Sequence, residues 1–85
     1  MNDPIVLRKL IREALAMRPR YEFTERQHFE VVRRKCIGEH LDLEEFLQAR
    51  EWNHERNLIE FRRNDDLDED VWQLTTAGKA QEGVK

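Results

Sequence analysis

Apolar residues recur at helical spacing in the first part of the chain. Five of them recur three and four residues apart, as on the buried side of a helix: Leu7, Leu10, Ile11, Ala14 and Leu15. Asn2 or Asp3 can cap this helix, and Pro4 suits its first turn. Because Pro19 disfavours helical geometry at the residue before it, the pattern predicts a first helix that ends near Met17.

Two further helices begin at capping sequences. Thr24 and Gln27 form a capping-box sequence, in which each side chain satisfies a backbone donor of the other residue. The second helix predicted here ends near Gly38, and its buried stripe contains Phe29, Val32 and Cys36. Residues 42–45 repeat the capping signature and predict a third helix that ends near Arg56.

After Asn57, a residue that tolerates the left-handed exit from a helix, the period changes from helical to alternating. One face of a predicted strand carries Ile59, Phe61 and Arg63. The polar residues 64–70 predict a turn, and residues 71–74 predict the returning strand of a β-hairpin. Residues 21–23 form a strand stub, and Thr75 or Thr76 caps a short final segment.

These elements predict a single domain over residues 1–85, with a core from about residue 4 to 80 and a mobile C-terminal tail. The fold class is mostly α, with three helices and an antiparallel sheet of two strands, or of three if the stub pairs. The predicted core consists of Leu7, Leu10, Ile11, Phe29, Val32, Leu43, Phe46, Leu47, Ile59, Phe61, Trp72 and Leu74.

Composition narrows the classes of function. The 85 residues are 39% hydrophobic and 39% charged, which leaves few apolar residues for a deep substrate pocket. The longest stretch without charge, residues 71–78, is far shorter than a membrane helix. Serine is absent and glycine occurs three times, which excludes serine nucleophiles and glycine-rich phosphate loops. We therefore expect a cytoplasmic protein that is not an enzyme and needs no cofactor.

Candidate metal ligands and nucleophiles follow no recognised pattern. The residues whose side chains could bind zinc do not have the spacing of a recognised structural-zinc site: His28, Cys36, His40 and His54. Alternating acids that resemble calcium ligands occur at Asp66, Asp68 and Asp70, but the EF-hand loop also needs a central glycine and a glutamate at its twelfth position. A solvated turn is the simpler interpretation. Cys36 lies on an apolar stripe, which predicts an inert buried thiol.

Three segments resemble the winged helix-turn-helix family. Residues 42–46, Asp-Leu-Glu-Glu-Phe, look like the start of its recognition helix, and residues 57–60, Asn-Leu-Ile-Glu, look like the exit into its wing. Residues 72–79 are similar to the Leu-Thr-x-x-Gly closing motif of many bacterial winged-helix regulators. The resemblance spans roughly residues 7–80. It implies DNA binding, with the third helix in the major groove and the wing on the backbone, although winged helices also serve as protein-interaction modules.

The charge distribution opposes DNA binding through the third helix. Residues 1–20 contain five basic and two acidic groups, whereas residues 42–60 contain two basic and six acidic groups. Non-specific DNA affinity comes mainly from lysine and arginine on phosphate. The residues predicted to bind DNA are Arg26, Arg33, Arg34, Gln48, Arg62 and Arg63. The alternative for each arginine is a solvated surface position.

The outward side of the third helix is predicted to be acidic. At about 100° per residue, this side carries Glu44, Gln48, Glu51 and Glu55. Trp52 projects nearly opposite to Leu43 and is a candidate anchor for a protein partner, since tryptophan is enriched at binding hot spots. The alternative is that Trp52 packs into the core. The predicted partner-binding residues are Glu44, Glu51, Trp52 and Glu55.

Two functions therefore stay open. We favour the first, which the resemblance implies: a small winged-helix transcriptional regulator that binds DNA, with a homodimer supplying two half-sites. The second is a winged-helix module that binds a protein through its acidic third helix and wing, which the charge distribution favours.

Overall fold

Four helices and a three-stranded antiparallel sheet make up the part of the chain that the computed structural model describes, residues 2–36 and 38–84. The helices are α1 Pro4–Ala16, α2 Glu25–Lys35, α3 Leu43–Glu55 and α4 Thr76–Gln81. The strands are β1 Phe23–Thr24, β2 Ile59–Asn64 and β3 Glu69–Leu74. The predicted combination of helices with an antiparallel hairpin is confirmed, and the stub pairs as a third strand. None of the described helices is long and apolar enough to span a bilayer.

The helix starts follow the capping sequences. The Asp3 carboxylate accepts a hydrogen bond of 2.8 Å from the Ile5 backbone N–H. At α2 the capping box is complete, because the Gln27 N–H donates to the Thr24 hydroxyl and the Thr24 N–H donates to the Gln27 side chain. These bonds satisfy backbone donors that have no partner within the helix, so the sequence itself fixes where α1 and α2 begin.

The sheet has the strand order β1-β3-β2, and β3 lies in its centre. Trp72 pairs with Phe23 on one side and with Phe61 on the other. Val71 pairs in the same way with Thr24 and Arg62, so its side chain lies on the opposite face of the sheet. The face that carries Trp72 packs against the helices.

The core fills the space between this face and the first three helices. Seven of the predicted core residues are buried: Leu7, Ile11, Val32, Phe46, Ile59, Trp72 and Leu74. Partly buried residues pack against them at Leu10, Phe29 and Leu47. Side chains that the prediction did not include complete the core, among them Ala14, Leu15, Phe23, Leu41 and Ala49.

Two predicted core residues are wrong. Leu43 is 52% exposed because it is the first residue of α3, and Leu41, just before the helix, occupies the buried position instead. Leu41 and Phe46 hold the two positions of a hydrophobic staple, and both are buried. Phe61 is 46% exposed because it lies on the edge strand β2.

A buried polar network joins α1, α3 and the segment after α4. The Arg12 guanidinium donates to the Asn53 side-chain oxygen at 2.9 Å, and the Asn53 amide donates to the backbone carbonyls of Arg8 and Ala49. Arg12 also donates to the Glu82 carboxylate at 3.0 Å. The segment after α4, for which the sequence predicts mobility, therefore contacts α1 through an ion pair.

Candidate functional site

The outward side of α3 is a continuous acidic surface. Its four residues are exposed, and we call them the acidic face: Glu44, Gln48, Glu51 and Glu55. The side of α3 turned toward the core buries Phe46, Ala49 and Asn53. The sequence placed all four outward residues correctly, since the 3.6-residue period fixes which positions share a side.

Arg50 turns away from the acidic face, whereas the Nδ1 of His54 lies 3.8 Å from the Glu51 carboxylate. Arg50 donates to the Glu25 carboxylate at 2.8 Å, and its guanidinium lies 4.2 Å from the centre of the Trp72 ring. His54 packs against Trp72 and Phe61, with ring centres 5.8 and 5.4 Å away. The Arg50 charge is therefore committed to α2 and the sheet rather than to the carboxylates of the acidic face.

Trp52 lies at one edge of this surface and is half-buried. The guanidinium groups of Arg8 and Arg56 lie 4.7 and 3.8 Å from its ring centre, close enough for cation–π attraction. Arg56 also donates to the Trp52 carbonyl at 3.2 Å. The indole is neither a core side chain nor a free anchor, because two arginines cover part of it.

A groove of about 510 Å³ separates α3 from the N-terminal half of α1, within the usual size range of ligand sites. Leu7 and Ala49 contribute apolar surface, and Trp52 lines the groove from α3. Its acidic lining residues are Asp42, Glu44 and Glu45. The sequence analysis missed this groove, because its shape depends on how α1 and α3 pack and no local pattern encodes that.

The predicted DNA-binding residues on α2 are only partly engaged. Arg33 donates to Glu30 at 2.7 Å, and this hydrogen bond lowers the pKa of the Glu30 carboxyl. The positive charges of Arg33, Arg34 and Arg26 lower that pKa further. Arg26 and Arg34 are exposed and form no hydrogen bond or close ion pair with a described residue. Among the arginines predicted to bind DNA, these two are the most open to an external anion.

Arg62 forms a two-pronged ion pair with Glu22. Both guanidinium donors reach the carboxylate, one of them at 2.6 Å, and these bonds lower the pKa of Glu22. Val71 pairs with Arg62 on one side and with Thr24, two residues after Glu22, on the other. The ion pair therefore crosses over the Val71 side chain, on the sheet face opposite to Trp72. Val71 is buried beneath it. Arg62 is engaged within the protein.

Within the described residues, the acids of the hairpin turn and the candidate metal ligands are not grouped into a metal site. Arg63 pairs with Asp68, one of the alternating acids. His28 is buried, and its Nε2 lies 3.0 Å from the Ile11 carbonyl oxygen. Burial raises the pKa of the Cys36 thiol, and nearby carboxylates raise it further, which disfavours the reactive thiolate. Within residues 2–36 and 38–84, no three histidine, cysteine or acidic side chains are grouped as a metal site requires.

The structure thus gathers the predicted partner-binding residues and separates the predicted DNA-binding ones. Glu44, Glu51 and Glu55 share one side of α3 with Gln48, and Trp52 lies beside them. The arginines are divided between α2 and β2. No protein-family model, curated protein or solved structure matches the chain.

Proposed function

We propose that the chain is a winged-helix module that binds a basic segment of a partner protein through the acidic face of α3. The order of elements supports the winged-helix assignment: a helix, a short strand, two helices and a hairpin, with β1 completing the sheet. In this assignment α2 and α3 form the helix-turn-helix, and β2 and β3 form the wing. Function still depends on the surface that these elements present.

The observation that carries the proposal is the charge of that surface. The acidic face offers three exposed carboxylates, and Arg50 is turned away from it. The turn at the wing tip adds exposed acids at Asp65, Asp66 and Asp68. Carboxylates repel the phosphates of a duplex, whereas they attract and orient a basic partner. The groove beside Trp52 adds apolar surface from Pro4 and the indole ring next to its acidic lining, and an amphipathic basic segment needs both.

DNA binding is the second candidate, favoured by the exposed arginines of α2. Arg26 and Arg34 form no hydrogen bond with an acidic side chain of the described residues, although both lie near Glu30, and they can approach a phosphate. Arg33, Arg62 and Arg63 would first have to exchange their carboxylates for phosphate. This mode places α2, and not the acidic face, against the duplex.

Charge reversal on the acidic face distinguishes the two functions. We expect Glu51→Lys to weaken binding of a lysine- and leucine-containing amphipathic peptide by about threefold to tenfold, because one favourable charge becomes repulsive. Glu60→Lys is the matched control, since Glu60 is also exposed but lies on β2, on the sheet face that points away from the core. Fluorescence anisotropy of the labelled peptide at several salt concentrations measures both variants.

The same assay with a short random-sequence DNA duplex tests the second candidate. DNA binding through α2 predicts that Arg34→Ala reduces the slope of log affinity against log salt by about one unit. Duplex binding that depends on Arg34, together with no measurable peptide binding, would contradict the proposal and establish the alternative. Equal effects of Glu51→Lys and Glu60→Lys on the peptide would remove the acidic face from the site.

A further inference from the structure

The outer side of α1 is an apolar surface that no other described element covers. Ile5, Val6 and Met17 are 71%, 52% and 61% exposed, and Leu10 is only partly buried. Lys9 and Glu13 lie between them and form an ion pair of 3.8 Å at i,i+4 spacing. We call these six residues the exposed α1 face. Five of these residues lie on the side of the helix away from the buried stripe, and Leu10 lies at its boundary and also packs against the core.

The exposed α1 face is complementary to itself when two copies run antiparallel. Ile5, Lys9, Glu13 and Met17 are spaced by four residues and form one row along the helix. Met17 belongs to this row because its backbone keeps helical angles, with φ −60° and ψ −33°. Reversing a second copy about the middle of the row places Ile5 opposite Met17 and Lys9 opposite Glu13. Both pairings occur twice, as a two-fold interface requires.

We propose that this face is a self-association surface, on which a second copy of the chain packs its α1 antiparallel to the first. The apolar ends supply contact area, and the oppositely charged centre fixes the direction, since a parallel arrangement places Lys9 against Lys9. The exposed leucines elsewhere, Leu43 and Leu67, lie outside α1. This inference does not depend on the proposed function, because the acidic face lies on α3.

The size of the face sets the strength of the association. α1 has 13 residues and is about 20 Å long, so two such helices bury less area than a standard stable interface. The dimer is therefore weak and reversible, and it forms at high concentration. Where two copies are held close together by another contact, the same interface forms more readily, because the local concentration of the chain is raised.

Sedimentation equilibrium over a range of chain concentrations tests this. We expect the average mass of the unmodified chain to rise from monomer toward dimer and to stop there. Met17→Glu and Ile5→Glu should each weaken association by about tenfold or more, because a charge enters the apolar contact. Leu67→Glu is the matched control, since Leu67 is similarly exposed but lies in the hairpin turn. Circular dichroism verifies that each variant keeps its helix content.

A charge swap tests the antiparallel direction. Lys9→Glu alone should weaken association, because it places a second carboxylate opposite Glu13 of the other copy. Adding Glu13→Lys to the same chain should restore association, since the opposite charges meet again. Failure of the double variant to recover would overturn the antiparallel arrangement. A monomer at every concentration, or association that Leu67→Glu weakens as much as Met17→Glu does, would overturn the surface itself.

Discussion

Individual polar side chains in the core each have specific partners, and this gives the fold its sensitivity to single residues. Asn53 accepts from Arg12 and donates to two backbone carbonyls, so an aliphatic residue there would remove three hydrogen bonds, two of them buried. His28 is fully buried between α1 and α3, where it packs edge-on against Phe46 at 5.0 Å. Because a carbonyl only accepts, its Nε2 donates to Ile11, and its buried Nδ1 has no partner, so burial disfavours a second proton on the ring.

Burial makes His28 a source of acid sensitivity. Loss of solvation lowers its pKa from 6.5 to about 4, and the Arg50 charge contributes to the decrease. As pH falls below 6.5, the unfolded chain takes up a proton that the folded chain cannot, so the free energy of unfolding decreases until about pH 4. We expect this group alone to remove about 2 kcal/mol between pH 7 and pH 5. Urea unfolding at the two pH values measures it.

The control for this prediction is a pair of histidine variants. His28→Gln keeps a donor near the Ile11 carbonyl but cannot titrate, so its stability should change less over the same pH range. His40→Gln replaces an exposed histidine that lies 3.1 Å from Asp42, and it measures how much of the pH dependence arises outside the core. An unchanged pH dependence in His28→Gln would show that other groups cause the acid sensitivity.

Among the elements, α4 shows most directly how a short motif positions a helix. The Thr75 hydroxyl accepts from the Gly78 N–H at 3.0 Å and donates to the Asn57 carbonyl at 2.6 Å. Gly78 lies so close to the segment between α3 and β2 that an added Cβ would stand 1.9 Å from the Leu58 carbonyl oxygen. In the Leu-Thr-x-x-Gly sequence, Leu74 is thus a core residue, the threonine is a helix cap and the glycine permits close contact.

Gly78→Ala therefore tests the packing of α4. We expect it to reduce the free energy of unfolding by about 3 kcal/mol or more, because backbone has to move to admit the methyl group. Gly38→Ala is the contrasting variant: Gly38 has a positive φ of +77° but open space around it. It should cost only about 1 kcal/mol, the conformational term alone. Equal losses from both would contradict the steric explanation; chemical denaturation measures them.

Local signals predicted these elements well, and tertiary contacts explain what they missed. The capping box at Thr24 and the left-handed Asn57, with φ 57°, depend on neighbouring residues, so the sequence located them. Leu43 and Phe61 fit the apolar pattern but lie where no second layer covers them. The groove beside Trp52 likewise depends on which side of α1 meets α3. The helical period of 3.6 residues was enough to predict the acidic face. The ion pair of Arg62 with Glu22 could not be predicted in this way, because it depends on the strand register.

At the scale of the whole molecule, an ion pair joins the first helix to the segment after the last one. Arg12 and Glu82 are 70 positions apart, and their side chains are only 9% and 8% exposed. A buried charge is stable only when it is paired and hydrogen-bonded. The same guanidinium supports Asn53, so the pair also contributes to the packing of α1 against α3.

Removal of the Glu82 carboxylate should therefore destabilise the entire domain. We expect Glu82→Ala to reduce the free energy of unfolding by about 3 kcal/mol. This is the low end of the usual cost of breaking a buried ion pair, because fraying of the segment after α4 lets water reach Arg12. Glu69→Ala, which removes an exposed carboxylate from β3, should change it by less than about 0.5 kcal/mol. Thermal and urea unfolding of both variants checks the difference, and equal stabilities would show that Arg12 is solvated in the folded chain.

The same ion pair affects when the domain can fold during synthesis. Arg12 emerges from the ribosome early, but its only ion-pair partner within the described residues emerges some 70 residues later. Until then, burial of α1 against α3 would leave a guanidinium unpaired in the core. Domains fold as units as the chain is made, and this one reaches its final packing only after Glu82 has been added. We expect nascent chains that stall before that point to pack α1 less stably and to expose its apolar side more often.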